Sequence, residues 1–213
     1  MREERDIVSL NRQAWDRVAD TYDGRSKVIV GGLFSEFLDS VTPGGRVLDV
    51  GSGTGEPYAR TLVENGFDVL GIDVAPRMVE IARGRVPEAE FVELSMTEME
   101  FRGEFDGVLA VFTMLLLDPP RFWDVSRRVA ESLREGGVFY LVLNEPWKEG
   151  EDVDGDVFVE IMGEEMYSRG YTLDEVMGAF EPLGMERIGF HREVHVTEEF
   201  GEEHVVEFLF RKS

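Results

Sequence analysis

The 213-residue chain contains no cysteine, three lysines (Lys27, Lys148 and Lys212) and a single glutamine, Gln13. Without cysteine there is no disulfide framework, no thiolate nucleophile and no cysteine-ligated zinc. Long apolar runs are also lacking. None reaches the ~18 residues that a bilayer-spanning helix needs, so no membrane partner is expected. The opening "MREERD" is charged and leads into no apolar segment, so no secretory leader is expected and the cytoplasm is the default location. Positive charge is scarce: 22 Lys+Arg stand against 44 Asp+Glu, a net charge of −22 with a pI near 4.4. That field repels polyanions, and no basic stripe interrupts it, so no nucleic acid partner is expected. A Glu- and Arg-rich chain with little Gln matches a thermophile, and the net charge matches a salty cytoplasm. Skewed genome composition gives the same counts, and one sequence does not separate the two.

What is present is the balance of a globular protein, 43% hydrophobic and 31% charged residues, in a length that suits one domain. "DIVSLNRQAWDRVADTYD" places Val8, Trp15, Val18, Ala19 and Tyr22 at helical spacing. Strands are expected near 46–50, 67–73, 89–94, 105–112 and 138–144, with helices near 57–64, 75–83 and 118–137 between them. Near-continuous apolar strands alternating with helices mean a parallel sheet covered on both faces. Residues 145–171 are acidic and weakly periodic and read as an inserted loop or lid. "TLDEVMGAFEPLG" reads as a helix with a capping box, Thr172 to Glu175. "ERIGFHREVHV" and "EHVVEFLFR" read as two strands joined by the turn "TEEFGE", an antiparallel end. The expected fold is therefore α/β, a Rossmann-like doubly wound sheet of seven strands, mostly parallel with an antiparallel C-terminal hairpin strand. Residues 1–42 form an N-terminal helical cap and 43–213 the main domain.

The stretch "VLDVGSGTGEP" carries the chemistry. An apolar strand reaches Asp49 and then breaks into Gly51, Gly53 and Gly55, which lets backbone approach a ligand at the strand's carboxyl end. Asp73 closes the next strand, where a carboxylate accepts both hydroxyls of an adenosine ribose. Two cofactor classes share that placement. A dinucleotide brings a pyrophosphate and prefers a third glycine where this chain has Glu56; Asp49 and Glu56 repel phosphate. A sulfonium nucleoside brings an ammonium and a positive sulfur, which an acidic mouth favours. Charge selects S-adenosylmethionine.

In these segments the chain resembles a class I S-adenosylmethionine-dependent methyltransferase of the small-molecule type, over nearly its whole length. "VLDVGSGTG" matches that family's first motif, "GIDVAPRMVEIAR" its second-strand acid, "FDGVLAVFTMLLLDPP" its fourth-strand motif, and "LREGG" the turn before strand five, with Glu135 where proline is usual. The resemblance implies that Asp49, Gly51, Ser52 and Gly53 face the methionyl moiety, that Asp73 holds the ribose, and that Val74 and Met78 lie against the adenine. Ser95 stands where an acid usually contacts the adenine amino group, followed by Met96, and Val111 lies beside the methionyl part. Trp15, Ala19 and Tyr22 match a helix over the cofactor; Tyr22 is expected to touch the ligand and Trp15 simply to pack. The implied activity is methyl transfer to a small-molecule acceptor. Two alternatives are kept, a cofactor-binding module without turnover and a nicotinamide-dependent oxidoreductase.

Other groupings carry less. "DPPRF" at 118–122 reads as a helix cap with a proline start. "DVDGDVFVEIMGEE" lacks the glycine and glutamate of a calcium loop at the required places. His191, Glu193 and His195 alternate on one strand face, but no third ligand has recognisable spacing, so no metal is expected. "FTMLLL" at 112–117 reads as core packing or as a wall for an apolar acceptor. Glu145, Trp147, Tyr167 and Tyr171 are acceptor-contact candidates. Glu145, Tyr22 and His191 are conceivable bases, none assigned as catalytic.

Overall fold

The computed structural model describes residues 6–24, 32–146, 158–197 and 201–213. Five strands of the predicted parallel core form in order: β1 (Arg46–Val50), β2 (Asp68–Asp73), β3 (Glu90–Glu93), β4 (Phe105–Val111) and β5 (Leu133–Asn144). Before them come α1 (Ile7–Asp23) and α2 (Phe34–Ser40); α3 (Tyr58–Glu64), α4 (Pro76–Arg85) and α5 (Pro119–Ser132) connect them. A small hairpin, β6 (Phe158–Ile161) and β7 (Glu164–Tyr167), then precedes α6 (Leu173–Phe180), β8 (Met185–Thr197) and β9 (Gly201–Lys212).

The main sheet has seven strands in the order β3-β2-β1-β4-β5-β9-β8, parallel from β3 to β5 and antiparallel from β5 to β8. The expected Rossmann-like fold is the observed one. Adjacent residues of β1 show why the strands read as continuous apolar runs. Val47 joins the cluster under α2, α3 and α4, Leu48 the cluster under α5 and α6, and both are fully buried. The chain winds outward from β1 in both directions, so the crevice between the ends of β1 and β4 is a switch point at which such sheets bind ligands.

Start signals behave as the sequence implies. Asp118 caps α5 by accepting from the Arg121 N–H at 3.2 Å, with proline next, and Thr172 and Glu175 form the capping box of α6. Three features differ. The helix expected over 118–137 stops at Ser132, because Leu133 turns extended and pairs with Phe105. Register then breaks before Val138 meets Gly107, so "LREGG" is a bulged entry into β5. The segment read as an irregular insertion contains the β6–β7 hairpin. Its two-residue turn puts Met162 and Gly163 at φ +53° and +83°, a tight hairpin turn made without the usual Asn-Gly signal. Finally, α2 had no sequence signal beyond Phe34 and Phe37, which it buries against the sheet. The turn residues 198–200 and Trp147 lie outside the described residues.

Of the N-terminal region, then, α2 belongs to the sheet's own layer and α1 lies apart. Ala14 and Val18 of α1 pack on Met166 of the hairpin, and Ala19 packs on Ala75 and Met78. Asn11 joins the pieces. Its amide donates to the carbonyls of Leu116 (3.1 Å) and Tyr167 (3.0 Å) and accepts from the Tyr167 N–H at 2.8 Å. Asn11→Ala leaves those buried groups unsatisfied and is expected to cost about 1–3 kcal/mol in urea unfolding, with faster hydrogen exchange at the Tyr167 amide.

Candidate active site

The glycine turn begins where β1 ends. Gly51 adopts φ +75°, and a Cβ there would lie 2.3 Å from the Thr113 methyl carbon, so both backbone and space demand glycine. Thr113 is itself fixed, its hydroxyl donating to the Val50 carbonyl at 3.0 Å. The N–H groups of Gly51 and Ser52 donate to the Ile72 carbonyl at 2.8 and 2.9 Å, and that of Gly53 donates to Asp73 Oδ2 at 2.9 Å. Three successive donors are thereby committed to β2 and its carboxylate. Phosphate-binding turns work by aiming such donors at the anion; here they are already engaged.

Above this turn lies a cavity of about 650 Å³, within the range of small-ligand sites. Its floor is the carboxyl ends of β1, β2 and β4, and α1 and the hairpin contribute its roof. Tyr22, Asp49, Gly51, Ser52, Gly53, Asp73, Val74, Met78, Ser95, Met96 and Val111 all line it. Two carboxylates face each other across the turn. Asp49 is 4% exposed and, among the described residues, has no hydrogen-bond or ion-pair partner. Burial, and then the charge of Asp73, push it up to about 7 from the ordinary 3.8. Asp73 is also raised by burial, to about 6, opposed by the N–H groups of Ala75, Gly53 and Val74. Ser52 Oγ is buried with no hydrogen-bond partner among the described residues. Ser95 accepts from the Thr97 N–H at 3.3 Å, capping a short turn on the cavity wall.

Several wall residues had no sequence signal as site residues. Trp15, expected only to pack, lines the cavity as well, edge-on to Tyr22 at 5.5 Å. Val159, Ile161 and Met162 arrive from the hairpin, and Glu203 from β9. These depend on long-range pairing that no local pattern announces. "FTMLLL" divides: Phe112, Thr113, Leu115, Leu116 and Leu117 form wall, whereas Met114 is core. Other candidates are placed elsewhere. Glu145 is paired with Arg192 at 2.7 Å. Tyr171 stacks on Phe122 and donates to the Leu117 carbonyl at 2.6 Å, Tyr167 is buried beside Asn11, and His191 sits on β8; none of these lines the cavity.

Residues 47–137 match the family model described as a methyltransferase domain. A demethylmenaquinone methyltransferase of Tropheryma whipplei is 35% identical over 113 residues, 48% of this chain and 46% of that protein. The chain spans about half the length of the curated relatives it matches. Among solved structures, a SAM-dependent methyltransferase of Methanosarcina mazei superposes with a TM-score of 0.75 at 18% identity, covering 85% of this chain and 99% of that one. The 1,6-didemethyltoxoflavin-N1-methyltransferase of Burkholderia thailandensis, solved with its acceptor and S-adenosylhomocysteine, gives 0.68 at 19% identity, covering 96% and 88%. The segment bearing the glycine turn and both carboxylates is thus the part of the chain that is similar to a methyltransferase domain, and the whole chain shares the Rossmann-like fold of the two methyltransferases of known structure.

The raised carboxylates make stability depend on pH. Each holds its proton longer in the folded chain than in the unfolded one, so the folded state carries more protons between about pH 4 and 7. Their contribution therefore falls as pH rises through that window. Asp49→Asn removes the larger part. The variant's unfolding free energy relative to the parent is expected to widen in its favour by at most about 4 kcal/mol from pH 4 to pH 8, measured by denaturant titration. A gap independent of pH contradicts the assignment.

Proposed function

We propose that the protein is an S-adenosylmethionine-dependent methyltransferase acting on a small-molecule acceptor. The observation that carries this is Asp49, a buried carboxylate whose side chain has no partner among the described residues, beside a turn whose N–H donors are already engaged. Such a site suits a cation and gives a pyrophosphate little to bind. Asp49, Gly51, Ser52 and Gly53 would hold the methionyl part, with Val111 beside it. Asp73 would hold the ribose hydroxyls, Val74, Met78, Ser95 and Met96 would enclose the adenine, and Tyr22 would close over the ligand from α1. When bound, S-adenosylmethionine supplies a methyl group on a good leaving group, displaced in line. The protein's task is then alignment and exclusion of water. The roof of α1 and hairpin serves the second need.

The acceptor would lie toward the ends of β4 and β5. There the wall is apolar, with Phe112, Leu115, Leu116, Ile161 and Met162, and has one polar corner. Asn144 donates through its amide N–H to Glu203 Oε1 at 3.1 Å, and its carbonyl oxygen is buried without a donor among the described residues. That corner fits an acceptor with an apolar body and an O–H or N–H group. The acceptors named for the two methyltransferases above, a demethylated quinone and a toxoflavin precursor, are small organic molecules too. The −22 charge suits a neutral or cationic acceptor better than an anionic one.

Calorimetric titration separates the cofactor classes: S-adenosylhomocysteine, which keeps the ammonium, binds, and NADH does not. Asp49→Asn and Asp73→Asn are each expected to weaken S-adenosylhomocysteine binding by about 1–3 kcal/mol, through a lost charge-assisted contact and lost ribose hydrogen bonds. Tighter binding of NADH, or undiminished affinity in both variants, overturns the reading. Release of S-adenosylhomocysteine from labelled donor across a panel of phenols, amines and heterocycles then distinguishes an enzyme from a binding module.

A further inference from the structure

The histidines and carboxylates of the antiparallel edge take no part in the cavity's chemistry, apart from Glu203. On β8 the two-residue period puts His191, Glu193 and His195 on one face, and the β8–β9 register sets Glu207 directly opposite His191. The third ligand that local spacing does not reveal thus comes from the neighbouring strand. The ligand atoms of His191, Glu193 and Glu207 lie within 4.8 Å of one another, with His191 Nε2 3.9 Å from Glu193 Oε2 and 4.0 Å from Glu207 Oε1. Metal–ligand bonds of about 2.0–2.2 Å in tetrahedral array put ligand atoms about 3.4 Å apart. The two histidine–carboxylate separations exceed this by about 0.5 Å and the separation of the two carboxylates by at most about 1.4 Å, differences that side-chain rotation of the partly exposed His191 and Glu193 closes.

The surroundings are those of a held ligand set. Glu207 is fully buried. Its Oε2 accepts from the Tyr140 hydroxyl at 2.9 Å and the Leu33 N–H at 3.1 Å, and its Oε1 accepts from the Gly32 N–H at 2.9 Å. One lone pair of Oε1 is left on the His191 side. Carboxylates that bind metals are oriented by outer partners such as those of Glu207. Glu193 Oε1 and His195 Nε2 are 2.6 Å apart, and neither makes a hydrogen bond among the described residues. Charge is unbalanced as well: among the described residues no Lys or Arg pairs with Glu193 or Glu207, though Glu207 is closed off from water. His191, 44% exposed, leaves a way in from solvent.

We infer that His191, Glu193 and Glu207 form a binding site for one divalent transition-metal ion of the zinc class, separate from the cofactor cavity. A mixed imidazole and carboxylate set suits zinc, cobalt or nickel better than magnesium. The ion would tie the edge strand β8 to β9 and, through Glu207, to the start of α2.

The test uses the full chain, stripped with EDTA and free of cofactor, so its outcome is independent of the methyltransferase reading. Equilibrium dialysis against Zn²⁺ is expected to find one ion per chain. Affinity should fall at least about tenfold in His191→Ala and in Glu193→Gln, both on the partly exposed strand. Added Zn²⁺ should raise the melting midpoint of the parent and leave that of His191→Ala in place, and bound Co²⁺ should show visible absorption that His191→Ala abolishes. No bound zinc, or the same stoichiometry and affinity in both variants, overturns the site.

Discussion

A carboxylate at the tip of the first strand, shut off from bulk water and offered no donor or cation by the described residues, sets the terms for the whole site. Ionised, Asp49 bears the full cost of its surroundings; protonated, it has nothing to hold. Asp73 across the turn worsens the problem by its charge, yet it is what binds the glycine backbone to β2. Two acids so placed suit an environment that becomes favourable when a positive ligand arrives. The same argument explains the glycine turn. Its open backbone serves close approach, and its donors are folded back onto β2 rather than turned toward an anion.

The rest of the fold positions and covers this point. The sheet's winding puts the ends of β1 and β4 at a crevice, and Thr113 packs against Gly51 so closely that no side chain fits. The roof is assembled from distant parts, α1 and the β6–β7 hairpin, held by buried Asn11, two small apolar clusters and ion pairs such as Arg17–Glu164 and Arg77–Asp20.

The parallel core was legible because its signals are local. Apolar runs, proline starts, glycine stops and the Thr172–Glu175 box each depend on residues a few positions apart. The acids at the ends of β1 and β2 were legible for the same reason, since each closes an apolar run, Asp49 one residue before the end of its strand, where the glycine turn opens, and Asp73 as the last residue of its own. What escaped depends on pairing across the chain. Met162 reaches the cavity through a turn without Asn-Gly, Glu203 through the β5–β9 register, and Glu207 meets His191 only because β8 and β9 are antiparallel. Tyr171, chosen for its sequence proximity to the insertion, is drawn into the core by Phe122. Helix α5 ends early because strand pairing at Leu133 outweighs local helical pattern.

The central claim, that Asp49 receives the positive end of the ligand, has a direct thermodynamic signature. Near pH 6.5 a group with a pKa of about 7 is largely protonated and must lose its proton to pair with an ammonium. Calorimetric titration of S-adenosylhomocysteine in two buffers of different ionisation enthalpy measures that proton. The account predicts release of a substantial fraction of one proton, vanishing in Asp49→Asn; an enthalpy that is the same in both buffers, or a release that persists in the variant, contradicts it.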